Sequence, residues 1–173
     1  LDDTAAKDKT GHGYDGAFIG DVNKTEDRHG NYGCAVSMDT NSFFEYYRAN
    51  MTNNFLFFSS EATMCFWYKA DNIIRTSNAI LVRNVYNHNN PYFDNFKLTT
   101  KTTSDSVSLC YGTYYAKKIE TPNDWNFIVL RYSPTDNFNT QSMEIFINGQ
   151  LTNPKSWGGG GESYNNMLRF GES

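Results

Sequence analysis

Hydrophobic positions in this chain fall into short runs separated by turn-forming residues, and helical periodicity is scarce. The clearest run is Trp125-Asn-Phe-Ile-Val-Leu-Arg-Tyr-Ser133, followed after a polar stretch by Ser142-Met-Glu-Ile-Phe-Ile-Asn148-Gly149. It reads as a buried strand, a surface loop and a second strand ending in an Asn-Gly turn, because a type I′ turn needs positive φ at both central residues. Comparable runs predict strands at 17–22, 34–38, 43–47, 62–69, 79–85, 95–100, 106–115, 126–132, 142–147 and 167–170. Segment 39–54 can be phased as a short helix, but Phe43-Phe44-Glu45-Tyr46-Tyr47 favours β structure. Many short strands with turns between them are the signature of an antiparallel sandwich or barrel, not of βαβ units.

Met64-Cys-Phe-Trp-Tyr68 and Phe127-Ile-Val-Leu130 are apolar on both faces. That predicts central strands, covered by the opposite sheet on one side and by loops or a third layer on the other. The polar stretch 99–105 suits an edge or a hairpin end.

Composition sharpens this picture. The 173 residues suit one domain, and they include 13 Phe, 12 Tyr, 3 Trp and 21 Asn. Aromatic residues favour strands and Asn favours turns, which argues against a helical bundle. The net charge of −4 and the lack of a basic patch make nucleic acid and anionic membrane poor candidate partners. No apolar run reaches the 18 to 20 residues or so that insertion into a membrane requires. No charged-then-apolar leader precedes residue 1 in this stretch, so a signal sequence is expected to be removed or to lie outside it. Cys34, Cys65 and Cys110 fit no zinc spacing and sit in apolar runs, so they read as buried free thiols. One disulfide plus a leftover thiol is the rival. The sequons at Asn23 and Asn50 are expected by chance in so Asn-rich a chain.

Several local motifs stand in a familiar order. Asp8-Lys-Thr-Gly11-His-Gly13-Tyr-Asp15-Gly16 is followed by Gly30-Asn-Tyr-Gly33-Cys-Ala35-Val-Ser37-Met-Asp39 and then by Ala62-Thr-Met-Cys-Phe-Trp67-Tyr-Lys69. The Trp125-to-Gly149 stretch and Leu168-Arg-Phe-Gly171 complete the series. Together they resemble laminin-G-like and pentraxin-like domains of the concanavalin A-like jelly-roll group, nearly end to end. The resemblance implies an all-β, two-sheet antiparallel β-sandwich in a single domain over 1–173, excised from a larger protein. Members of that family continue past the motif matched by Leu168–Gly171 for a further strand, so closing strands are expected from flanking segments.

The resemblance also implies a secreted or cell-surface, lectin-like adhesion module that recognises carbohydrate or glycoprotein with the assistance of calcium. Asp8 and Asp15 are the candidate calcium ligands, calcium being a cation that takes several oxygen donors. The rival reading of that stretch is a glycine-rich turn. Its Gly-x-Gly-x-x-Gly pattern lacks the preceding strand and following helix of a dinucleotide site. Trp157, beside Gly158–Gly161, is the candidate stacking residue for a sugar ring. Tyr86, His88, Asn90 and Tyr92 interleave aromatics with amides as a glycan-binding loop does, and Tyr111, Tyr114 and Tyr115 are candidates for further aromatic surface.

Nothing here resembles a nucleophile motif. Glu45 and Glu144 stand alone in their strands, without the alternating carboxylates of a jelly-roll glycosidase. The expected function is therefore non-catalytic binding. Its alternatives are a protein-interaction or spacer domain without a sugar site, and a glycoside hydrolase or lyase.

Overall fold

A computed structural model of the chain describes residues 5–11, 13, 15–39, 41–47, 62–70, 79–85, 96–103, 106–111, 114–134, 141–152, 155–157 and 167–172. These form strands β1 (Ala5–Ala6), β2 (Gly16–Ile19), β3 (Val22–Glu26), β4 (Tyr32–Met38), β5 (Phe43–Tyr47), β6 (Ala62–Tyr68), β7 (Ala79–Val85) and β8 (Phe96–Thr103). The chain continues through β9 (Ser106–Tyr111), β10 (Tyr114–Ile119), β11 (Asn126–Pro134), β12 (Gln141–Ile147), β13 (Gln150–Leu151), β14 (Lys155–Trp157) and β15 (Met167–Glu172). Eight strands make one sheet in the order β1-β2-β5-β15-β7-β8-β9-β10. A five-stranded sheet runs β13-β12-β11-β6, with β14 also against β12, and β3 and β4 form a separate hairpin. All pairings among the described residues are antiparallel.

The core lies between the two large sheets. Ile128 and Leu130 of β11 and Ile145 and Ile147 of β12 alternate inward and are buried, as period-2 patterning requires. Met64, Phe66 and Tyr68 of β6 pack against them. Opposite stand Tyr46, Leu81, Val82 and Ile119 of the larger sheet. Each fully buried aliphatic side chain of this set contributes roughly 1.5–3 kcal/mol of hydrophobic stabilisation. Leu81 and Val82 are consecutive yet both buried, because the β7–β8 register slips between Ile80 and Val82. Such an irregularity breaks the alternation of faces.

The Asn-Gly turn forms as the sequence requires. Asn148 (φ 51°) and Gly149 (φ 79°) both take positive φ, and Ile147 pairs with Gln150 across the two-residue turn. Stretch 99–105 carries a hairpin end, with Thr103 opposite Ser106, although Thr100 within it is buried. Two predicted strands are each divided in two. The 17–22 run breaks at Gly20 (φ 78°), and 106–115 becomes β9 and β10, with Tyr111 opposite Tyr114.

Burial departs from expectation in the five-stranded sheet. β11 is central, but β6 pairs only with β11 among the described residues, and its Thr63, Cys65 and Trp67 face solvent. The expected cover over that outer face is therefore not what β6 shows. The thiol prediction is corrected for the same reason. Cys65 alternates with the inward Met64 and Phe66, Cys34 lies on the solvent side of β4, and both are exposed and free. An apolar run fixes a strand but not which alternate set faces the core. The side chain of Cys110 lies outside the described residues.

Candidate functional site

The outer face of β6 and β11 carries a three-part stack. Trp67 is directly opposite Phe127 in the ladder, and their ring centroids lie 5.0 Å apart at an interplanar angle of 35°. The Arg28 guanidinium sits over the indole, with Cζ 4.5 Å from the ring centroid. Trp67 nevertheless keeps 42% of its surface accessible. A solvated large aromatic is the informative exception to burial, and Trp and Arg are the side chains most often decisive in recognition.

Arg28 arrives there on the β3–β4 hairpin, whose tip is held by Asp27. One carboxylate oxygen of Asp27 accepts the backbone N–H groups of His29 (2.8 Å) and Asn31 (2.9 Å), and the other accepts the Asn31 side-chain amide (3.2 Å). The backbone N–H of Asn31 is the main cause that holds the Asp27 carboxyl below its ordinary value. Desolvation opposes it, and the His29 N–H reinforces it. Gly30, at φ 80°, supplies the left-handed residue of the turn, and its N–H donates to the Asp27 carbonyl at 3.0 Å. At the hairpin root, Met38 lies so close over Gly171 of β15 that a Cβ there would overlap its sulfur.

Arg131 shares this outer face and forms an ion pair with Glu144, Nε to Oε2 2.8 Å, so its charge is matched. Arg28 has no carboxylate at ion-pair distance among the described residues. Stacking occupies the π face of a guanidinium and leaves its N–H donors, which lie in the plane, free for an acceptor. Apolar C–H surface and an oxygen acceptor can thus be met together at this point.

The residues singled out from sequence fall elsewhere. Trp157 is in β14, paired with Gln141, which in turn pairs with Pro134. That is seven residues along β11 from Phe127, or roughly 23 Å at the strand rise. Tyr86, His88, Asn90 and Tyr92 lie outside the described residues. Their segment follows Val85, which pairs with Met167, and Met167 also pairs with Tyr47. The strand ends adjoining 48–61, 86–95 and 158–166 therefore meet at one end of the larger sheet.

Asp8 and Asp15 do come together. Asp15 accepts the backbone N–H of Asp8 and the Lys7 ammonium, each at 2.8 Å, while Asp8 accepts the N–H and hydroxyl of Thr10 at 2.8 and 2.6 Å. The Lys7 hydrogen bond, then that of the Asp8 N–H, hold the Asp15 carboxyl below its ordinary value. A lysine already stands where a cation would sit against Asp15. Among the described residues no group of three or more His, Cys, Asp or Glu is arranged to hold a metal. Gly11 and Gly13 take positive φ, and strand β2, not a helix, follows the glycine pattern.

Trp67 was legible only as part of an apolar run, and nothing in the sequence links it to Arg28, 39 positions earlier.

No protein-family model matches the sequence, and no curated protein matches it. Among solved structures the fold is similar to botulinum neurotoxin type C, a toxin that depends on interaction with two ganglioside molecules to enter cells. The likeness has a TM-score of 0.51 at 17% identity and covers 94% of this chain but only 39% of the toxin chain. It is a likeness of fold.

Proposed function

We propose that this chain is a non-catalytic glycan-binding module whose platform is the Trp67–Phe127 pair with Arg28. The observation that carries the reading is the solvent-open indole, fixed from below by a ring and flanked by a guanidinium that has no carboxylate partner among the described residues. Sugar rings present apolar C–H faces that stack on such aromatics, while their hydroxyls take polar neighbours. A fold shared with a ganglioside-dependent toxin agrees with this, although the likeness spans well under half of that chain. Against catalysis, Glu45 and Glu144 lie in different sheets, and Glu144 is held by Arg131.

The finer reading is a laminin-G-like jelly roll, secreted or on a cell surface, that joins glycans or glycoproteins to neighbouring domains. A second contact region with Trp157, Tyr86, His88, Asn90 and Tyr92 belongs to the same reading; its support is that Val85, before segment 86–95, pairs with Met167, after segment 158–166. Calcium assistance through Asp8 and Asp15 requires Lys7 to leave Asp15.

A glycan array with and without EDTA, run on the chain and on Trp67→Ala and Trp157→Ala, tests this. Binding lost in Trp67→Ala supports the platform, and loss in EDTA supports calcium. A uniformly blank array favours a protein-interaction or spacer domain. Release of reducing ends from mixed polysaccharides, abolished by changing one acidic residue, establishes a hydrolase or lyase instead.

A further inference from the structure

We infer that the Arg28–Trp67 site selects acidic saccharides, with Arg28 taking an oxyanion carried on the ring while the ring's C–H face rests on the exposed indole. This rests on the glycan reading and adds the ligand class. Three observations converge on it. The guanidinium is stacked 4.5 Å from the indole centroid, so its side chain is ordered before a ligand arrives. Ordering in advance removes part of the entropy that binding otherwise costs.

Among the described residues no carboxylate takes its donor fork. Asp27, the adjacent acid, turns its carboxylate onto the His29 and Asn31 amides, and the other arginine of this face is already paired with Glu144. Glu26 is the remaining neighbouring acid, exposed at the end of β3 and not ion-paired to Arg28. A planar fork with free N–H groups matches a carboxylate or a sulfate, and bonds to such charged acceptors are the stronger class.

Aromatic surface is also in excess at this end of the hairpin. Tyr32, the first residue of β4, is 75% exposed, close in sequence to Arg28 and with its chain anchored by the Asp27 turn. A neutral sugar offers the fork only neutral oxygens, whereas an oxyanion accepts from it in the stronger, charge-assisted way.

The test titrates the chain with three probes: an oligogalacturonide, the same oligomer as its methyl ester, and a sulfated oligosaccharide of similar length. The expected result is binding of at least one anionic probe roughly tenfold or more tighter than the ester, with the margin shrinking as salt is raised. The first and third probes tell carboxylate from sulfate. Arg28→Gln is expected to bring the anionic probes down to the ester's affinity, and Arg28→Lys to keep only part of the margin. Trp67→Ala is expected to lose all three. Urea midpoints of the variants show whether each still folds. Equal affinity for acid and ester, or a margin that survives Arg28→Gln, overturns the inference while leaving glycan binding standing. No binding of any probe, with a blank glycan array, overturns both.

Discussion

The side-chain amide of Asn148 donates to the side-chain oxygen of Asn126 at 2.9 Å, tying the turn after β12 to the first residue of β11. Asn126 is 1% exposed, and its own amide donates to the carbonyls of Thr121 (2.9 Å) and Asp124 (2.8 Å). Asn148 in turn accepts the backbone N–H of Phe127 at 2.8 Å. Burial of a polar side chain is tolerable when its donors and acceptors are used, as they are here. The pair fastens the start of β11, where Phe127 stands opposite Trp67, to the turn that ends β12.

Removing either amide is expected to cost much of the stability of a small domain. Asn126→Ala deletes the three hydrogen bonds that satisfy a buried side chain, and at about 1 kcal/mol for each a loss of about 3 kcal/mol is expected from urea unfolding. Asn148→Gly and Asn148→Ala both lose the side-chain bonds, but glycine keeps the positive φ without strain and is expected to cost less. The double variant Asn126→Ala/Asn148→Ala is expected to fall short of the sum, since the bond between them is lost once. Full additivity would show that the two act separately.

At Gly16 the effect is steric. Its φ is ordinary, but a Cβ would land on the Phe44 ring. Gly16→Ala is therefore expected to destabilise by about 2 kcal/mol, and most of this is expected to return in Gly16→Ala/Phe44→Leu. A thermal midpoint for the single variant equal to the parent's would contradict that contact.

The hairpin tip has a defined pH response. Because the folded Asp27 carboxyl sits below its ordinary value of 3.8, its contribution is present above that pH and is lost as pH falls through the lower folded value. Carbon-detected NMR is expected to give an Asp27 midpoint below 3.8, and Asp27→Asn is expected to flatten the acid limb below about pH 4. A midpoint at or above the ordinary value would mean that the Asn31 and His29 amides do not hold it.

Cys34 and Cys65 are exposed and free, so both are expected to react with dithionitrobenzoate in native buffer. Cys65 shares its face with Trp67, two residues along β6, and a saccharide on the platform is expected to slow its labelling more than that of Cys34. Two silent thiols without denaturant would show that the outer face is covered.

The strands of the core were legible because Ile128, Leu130, Ile145 and Ile147 sit in dense apolar runs bounded by strong turn residues. The Asn148-Gly149 hairpin was legible because its turn chemistry is local. The platform was not. Met64, Phe66 and Tyr68 are no more apolar as a set than Cys65 and Trp67, so only the packing partner decides which alternate set turns inward. Arg28 was invisible as a site residue because its contact crosses between a separate hairpin and an edge of the five-stranded sheet. β13 and β14 escaped because two or three residues show no period.

The missing side chain at position 171 works as a keyhole. Met38 fits into it, so the arm that carries Arg28 is aimed by a residue on the opposite sheet from the aromatic it reaches. Any larger residue there has to push the Met38 sulfur aside and hold a left-handed φ of 69°, disturbing the root of that arm at a distance from any ligand.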